Sequence, residues 1–391
     1  MNLRNLFLQN VAQTSANPVS IQVKKAKGIY ITDIDGKKYI DLISGISVSN
    51  LGHRNQAVIK AIRKQTSKYL HTMVYGEHIQ FPQVRLAQLI SSLLPPTLNS
   101  VYFTNSGAEA VEGAIKLAKK YTGRNKICAL KNAYHGSTHG ALSLMDNEYF
   151  TQAFRPLLPF VSYIDTSKIT ELNKIDKETA CVIIEIVQSE AGYIPLSNDF
   201  LKALKERCNE TGCLLVIDEI QTGMGRTGSM FAFEKTEITP DILLLAKGFG
   251  GGMPLGCFVA EVKIMKCLSE NPVLGHITTF GGHPVSCAAS IATFEEIISK
   301  KLFEKIERKE MLFRKFLNHH EIVNITGKGL LLGVHLKSEE KVFETVEKCK
   351  QNGLLIDWFL LNSSALRLAP PLVITEGEIK KVCNMILETF E

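Results

Sequence analysis

LLVIDEIQTGMGRTG (214–228) and PDILLLAKGFGGG (240–252) are the segments on which the fold turns. Each opens with a short apolar run and ends it on a reactive side chain: Asp218 after Leu214–Ile217, and Lys247 after Ile242–Ala246. A short apolar run bounded by turn signals reads as a buried strand. In open α/β sheets ligands sit beyond the carboxyl ends of such strands, so both side chains are expected to face one crevice. A lysine and a carboxylate in that relation suit pyridoxal phosphate. The amine attaches the cofactor covalently, and the carboxylate keeps the pyridine nitrogen protonated so that the ring accepts carbanion electrons. On these two residues alone, a buried Asp–Lys ion pair or two unrelated strand-end charges explains the pattern equally well.

The same pattern extends on both sides. From Asn99 to about Ala260 the runs VYFT, KICAL, VSYID, CVIIEI, LLVID, ILLLA and GCFVA alternate with helical segments, which predicts an α/β fold with a mainly parallel sheet covered by helices. Upstream, GIYITDIDGKKYIDL (28–42) alternates apolar and polar residues around Asp35-Gly36, as a β-hairpin does. Helical periods follow from Gln56. After Pro284 a helical pattern continues through about Leu317, then come GLLLGVHL, a helix near Lys341–Gln351, GLLIDWF, ALRLAPPL and a final amphipathic helix. That tail reads as a smaller α+β unit joined by a Val285–Leu317 helix.

A chain of 391 residues has material for two or three structural units. The net charge of +6 is spread along it, in clusters such as Lys24, Lys25, Lys27 and Lys116, Lys119, Lys120 that read as solvated faces; no nucleic-acid partner is expected. Nine cysteines without a CxxC pair, several inside apolar segments, are the usage of a reducing compartment. The opening MNLRNLFLQNVAQTSA is too polar for a signal peptide, and no apolar run approaches the ~18 residues of a membrane span. The expectation is a cytoplasmic protein without a membrane partner.

Two further strand ends carry chemistry. Thr104-Asn105-Ser106-Gly107-Ala108 follows NSVYF and opens the helix AEAVEGAIKLAKKY. Free N–H groups and the positive dipole end make such a place a phosphate site, although Asn105 or Ser106 acting only as a helix cap accounts for the residues as well. Tyr134-His135-Gly136-Ser137 follows KICAL, where an aromatic side chain can lie flat on a pyridine ring. His135 and His139 lack a third ligand, so no metal is expected. GFGGG (248–252) and GKGLLLG (327–333) do not have GxGxxG spacing, which leaves a nicotinamide dehydrogenase unsupported.

With NSGAEA, YHG, VIDEIQTGMGRTG, LAKG, TTFGGHP and LRLAPPL in this order, the sequence resembles the class III aminotransferases of fold type I, pyridoxal-phosphate enzymes that include acetylornithine, ornithine and 4-aminobutyrate aminotransferases. The resemblance covers about Gly28 to Leu387. It implies a large cofactor domain at 56–284 and a smaller domain made by both chain ends, 1–55 and 285–391. It implies that Lys247 holds the cofactor and carries the proton, that Asp218 meets the pyridine nitrogen and that Gln221 meets the 3′-oxygen. Ser106, Gly107 and Ala108 would cradle the phosphate, with Tyr134 and His135 against the ring. Thr279, with Thr278 beside it, resembles the threonine lent to a neighbouring subunit's phosphate, which implies a homodimer. Arg367 falls where the family binds the α-carboxylate of glutamate or 2-oxoglutarate, and Glu190 where a glutamate pairs with that arginine.

EIVQSEAG lacks the proline common in the family's pattern, and two positions bear on the substrate, Ser137 against all three named enzymes and Ile46 against the ornithine enzymes alone. YHGST places Ser137 where the three named enzymes carry an arginine for the distal carboxylate, a grip worth about 1.5–3 kcal/mol. Ile46 in GISVSNLGH stands where ornithine enzymes have a tyrosine. The resemblance therefore implies amino transfer from a terminal amine, acetylornithine or ornithine in type, to 2-oxoglutarate by a ping-pong cycle. The alternatives are an amine:pyruvate-type ω-aminotransferase, in which YHGST occurs, an aminomutase of the glutamate-1-semialdehyde kind, and a non-catalytic cofactor-binding protein.

Overall fold

The computed structural model describes residues 2–391. Strands β1 (Val23–Lys27), β2 (Tyr30–Asp33) and β3 (Lys38–Asp41) form an antiparallel meander. The central sheet has seven strands: β4 (Ser100–Thr104), β5 (Lys126–Leu130), β6 (Val161–Ile164), β7 (Thr179–Ile184), then, past the short hairpin β8 (Val187–Gln188) and β9 (Ile194–Pro195), β10 (Leu214–Asp218), β11 (Ile242–Leu245) and β12 (Gly256–Ala260). Its order is β4-β12-β11-β10-β7-β5-β6. Neighbours from β6 to β11 pair in parallel, and β12 alone runs antiparallel, to both β11 and β4. The sheet is mainly parallel, as the alternation of runs and helices predicts.

β7, β10, β11 and β12 are buried along their whole length, which is why they read as continuous apolar runs. Alternate residues still serve opposite faces. Ile183, Val216 and Leu244 pack under the helix Gly107–Thr122 with Ala114 and Leu117, whereas Ile184, Ile217 and Leu243 belong to the larger core on the other side. That helix begins at the Ser106 cap and ends at Gly123, whose φ of 70° supplies the left-handed closing residue.

Past the central sheet, β13 (Ile322–Lys328), β14 (Leu331–Leu336), β16 (Asp357–Trp358) and β17 (Ala365–Leu368) form an antiparallel sheet in the order β13-β14-β17-β16. Between them, β15 (Leu354–Leu355) leaves that sheet and pairs in parallel with β3.

The single helix expected over Val285–Leu317 is two, Pro284–Ser299 and Ile306–Phe316, separated by a 3-10 turn at Leu302–Lys305. Lys301, at φ 49°, turns the chain. The apolar period hides the break because Leu302 and Ile306 continue the same buried stripe. Among the described residues no helix is long and apolar enough to cross a membrane.

Candidate active site

The carboxyl ends of β4, β5, β7, β10 and β11 converge on a cavity of about 470 Å³. Its walls include Ser106, Gly107, Ala108, Tyr134, His135, Ser137, Asp218, Gln221 and Lys247. The crevice expected from the two opening segments is therefore present, and the phosphate-site and aromatic turns open onto it.

Asp218 ends β10 and is 4% exposed. Its Oδ1 accepts from Ile220 N at 2.9 Å, and its Oδ2 lies 2.7 Å from His135 Nδ1. Burial works against a charged His135, but the hydrogen bond and charge of Asp218 outweigh it, so the imidazole is held above its ordinary value. The turn that carries His135 needs Gly136, whose φ is 133° and where a Cβ would stand 2.7 Å from that of Ala108. Glu185, just past β7, fastens this turn by accepting from Tyr134 N at 3.2 Å, and holds the next by accepting from Ser189 N at 3.0 Å. Burial pushes its carboxyl up to about 7.

Lys247 follows β11 at a φ of 51°. Burial lowers its amine to about 8, with Glu190 and Asp218 pulling the other way. An amine of depressed basicity has a neutral nucleophilic fraction near neutral pH. At the opposite wall, Ser106 Oγ accepts from Glu109 N at 3.2 Å, and the first intrahelical bond is Ala110 N to Ser106 O at 3.1 Å. The N–H groups of Gly107 and Ala108 precede it and have no intrahelical acceptor. Helix capping and N–H groups without an intrahelical acceptor thus coexist at one terminus.

Arg367, in β17, forms a two-pronged pair with Glu190: Nη1 to Oε1 at 2.9 Å and Nη2 to Oε2 at 3.1 Å. Its Nε and Nη2 also donate to Trp358 O, at 3.2 and 2.6 Å, and its guanidinium lies 5.1 Å from the centre of the Phe359 ring. Glu190 accepts as well from Leu360 N at 3.0 Å and from Gln221 Nε2 at 3.4 Å, which ties the pair to the cavity wall. Burial disfavours the charged guanidinium, yet Glu190 raises it further, so it stays protonated.

The remaining expected residues lie at the margins. Ser137 is exposed and its Oγ is 3.1 Å from Tyr134 Oη. Ile46 is half-buried in a turn whose later residue Val48 forms part of the wall. Thr278 Oγ1 accepts from Asn105 Nδ2 at 3.0 Å and from Gly281 N at 3.3 Å, and Thr279 is exposed. Neither threonine lines the main cavity of its own chain; Thr278 lines a second one of about 300 Å³ with Tyr102 and Phe103. Val48, Ile220 and Glu185 complete the wall, and the sequence carries no signal that singles out the first two. Glu185 was open to the rule that found Asp218, since it too ends an apolar strand.

The donor set suits pyridoxal phosphate: free N–H groups at a helix terminus for a phosphate, a buried carboxylate for a pyridine nitrogen, and a lysine of lowered basicity. A parallel-rich sheet with that lysine beyond a strand end is the architecture of the fold type I pyridoxal-phosphate-dependent transferases.

The family model for Aminotransferase class-III matches residues 11–390. An acetylornithine aminotransferase of Methanopyrus kandleri is 39% identical over 360 residues, 91% of this chain and 90% of the relative. Among solved structures, the adenosylmethionine-8-amino-7-oxononanoate aminotransferase of Methanocaldococcus jannaschii superposes with a TM-score of 0.92 at 29% identity, over 99% of this chain and 98% of that one. The ornithine aminotransferase of Toxoplasma gondii, described with partial occupancy of pyridoxal phosphate at its active site, does so with a TM-score of 0.91 at 29% identity, over 99% and 93%. The chain belongs to the class III aminotransferases and is a pyridoxal-phosphate-dependent transaminase.

Proposed function

We propose that this transaminase moves a terminal amino group from an ω-amino acid of the acetylornithine or ornithine kind to 2-oxoglutarate, by a ping-pong cycle in which the donor's oxo product leaves before the acceptor binds. The observation that carries this reading is the Arg367–Glu190 pair, which is buried, two-pronged and tied to the cavity wall through Gln221. With Glu190 engaged, Arg367 is unavailable and the pocket suits the amine end of a donor. With Glu190 displaced, the planar fork is free for the α-carboxylate of the acceptor.

When bound, the cofactor supplies the electron sink for the carbanion formed at the amine-bearing carbon. Lys247 holds it and, once released, moves a proton at that carbon through Nζ. Asp218, oriented by His135, keeps the proton on the pyridine nitrogen. Gln221 would hold the 3′-oxygen, Tyr134 would cover the ring, and Ser106, Gly107 and Ala108 would receive the phosphate. Thr279 and Thr278, outside the cavity of their own chain, serve a partner subunit's phosphate, so the working unit is a homodimer. We also assign 56–284 to a cofactor domain and 1–55 with 285–391 to a small domain, in keeping with the pairing of β15 from the C-terminal part with β3. Nine unpaired cysteines fit a cytoplasmic setting.

An amine:pyruvate-type activity is favoured by one feature. Ser137 stands where the resemblance leads one to expect an arginine, and Lys247 is the only cationic side chain besides His135 among the described residues that line the cavity. The test is a single-turnover screen of cofactor-loaded enzyme against N-acetylornithine, ornithine, 4-aminobutyrate, diamines and aromatic amines, followed by the cofactor's visible absorbance. Conversion by N-acetylornithine or ornithine, with amino transfer to 2-oxoglutarate, is the expected result. Conversion by carboxylate-free amines alone would replace it with the amine-transaminase reading.

A further inference from the structure

Two left-handed stretches of backbone deliver hydroxyl groups to one amide. Ser44, Gly45, Ile46 and Ser47 have φ values of 54, 62, 60 and 64°, a full run in a region that residues other than glycine enter singly. Tyr193, which follows Gly192 at φ 107°, has a φ of 53°. Ser47 is 1% exposed and Tyr193 fully buried, and each donates to Gln221 Oε1 at 3.4 Å. Strained conformations of this kind persist where the surroundings enforce them, and they gather at functional sites. Here the enforcement is visible. Asp41 Oδ1 accepts from Ile43 N and Ser44 N, both at 2.9 Å, which starts the first run, and the Tyr193 ring packs edge-on against Phe359 with centroids 4.8 Å apart.

The orientation of the Gln221 amide follows from its neighbours. Both Glu190 oxygens accept, from the Arg367 guanidinium and from Leu360 N, so the amide atom that faces it is nitrogen. The oxygen is then the atom that meets the Ser47 and Tyr193 hydroxyls. An amide nitrogen has a second N–H, and Gln221 lines the cavity.

We propose that Ser47 and Tyr193 are positioning residues that lock the Gln221 amide in this orientation, so that its N–H pair bridges Glu190 and the cofactor's phenolic oxygen and couples the state of the Glu190–Arg367 pair to the cofactor. The proposal rests on the reading that Gln221 faces that oxygen. Donation from Gln221 would favour the oxygen as an anion and so lower the pH at which the Lys247 nitrogen gives up its proton in the loaded enzyme. The other charged groups that act on that nitrogen are Glu190, Asp218, Glu185 and Arg367. None of them is altered in the variants below.

The experiment is a pH titration of the visible absorbance of the cofactor-loaded enzyme. Tyr193→Phe removes one hydroxyl with little change in shape; Ser47→Gly removes the other while relieving its backbone strain. Each variant is expected to raise the titration midpoint by about half a unit to one unit, the size of one hydrogen bond's contribution. Gln221→Leu should raise it at least as far, and adding Tyr193→Phe to Gln221→Leu should add nothing. Loss of packing alone would not reproduce that non-additive pattern. Midpoints unchanged in Tyr193→Phe and Ser47→Gly but raised in Gln221→Leu would overturn the positioning role while leaving Gln221 at the cofactor. An unchanged midpoint in Gln221→Leu would overturn both.

Discussion

Lys247 combines a left-handed backbone, which costs a residue with a side chain about 1–2 kcal/mol, with an amine lowered to about 8. Both are found where the side chain lines the cavity and burial disfavours the ammonium. Because the neutral amine is the reactive form, its capture by an aldehyde in cofactor-free enzyme should rise as pH increases through about 8 and level off above that. Borohydride trapping followed by peptide mass spectrometry measures this, and a midpoint near that of a free lysine would contradict it. Asp218 and Lys247 were legible in the sequence because each ends an apolar run. Ser47 and Tyr193 were not, since their significance lies in backbone angles and in a shared acceptor on a distant segment.

At the scale of elements, the helix Gly107–Thr122 begins with a serine that has two tasks, capping its own helix and facing the cavity. The helix Glu376–Leu387 begins with Thr375 in a reciprocal capping box with Glu378, remote from the site. Ser106→Ala and Thr375→Ala should each cost about 0.5–2 kcal/mol of stability in thermal denaturation. Only Ser106→Ala should also weaken cofactor binding, measured by equilibrium dialysis. Equal loss of affinity in both would reduce Ser106 to a cap. The strands β7, β10, β11 and β12 were readable because burial on both faces makes them continuous apolar runs. The edge strand β13 escaped notice, being only partly buried and carrying Asn324, Thr326 and Gly327. The break at Lys301 was invisible because the period of buried residues does not register it.

For the whole molecule, the position of Thr278 and Thr279 outside the cavity of their own chain gives the homodimer a direct test. Thr279→Ala and Lys247→Ala homodimers should each be impaired. If Thr279 acts across the interface, exchange of subunits between the two populations should restore activity, because each hybrid contains one intact site; no recovery after demonstrated exchange would confine the threonine to its own subunit. Sequence patterns alone could not decide this point, since nothing in a linear pattern says which copy a side chain serves. The pairing of β15 with β3 bears on biosynthesis. Lys37 Nζ donates to Gln351 O, 314 positions further on, and Leu354 and Leu355 complete the sheet begun by the hairpin. A ribosome releases the hairpin long before its neighbour exists, so nascent chains carry an open strand edge through most of translation. Chaperone dependence during synthesis, and intolerance of termination before Leu355, follow from that order of emergence.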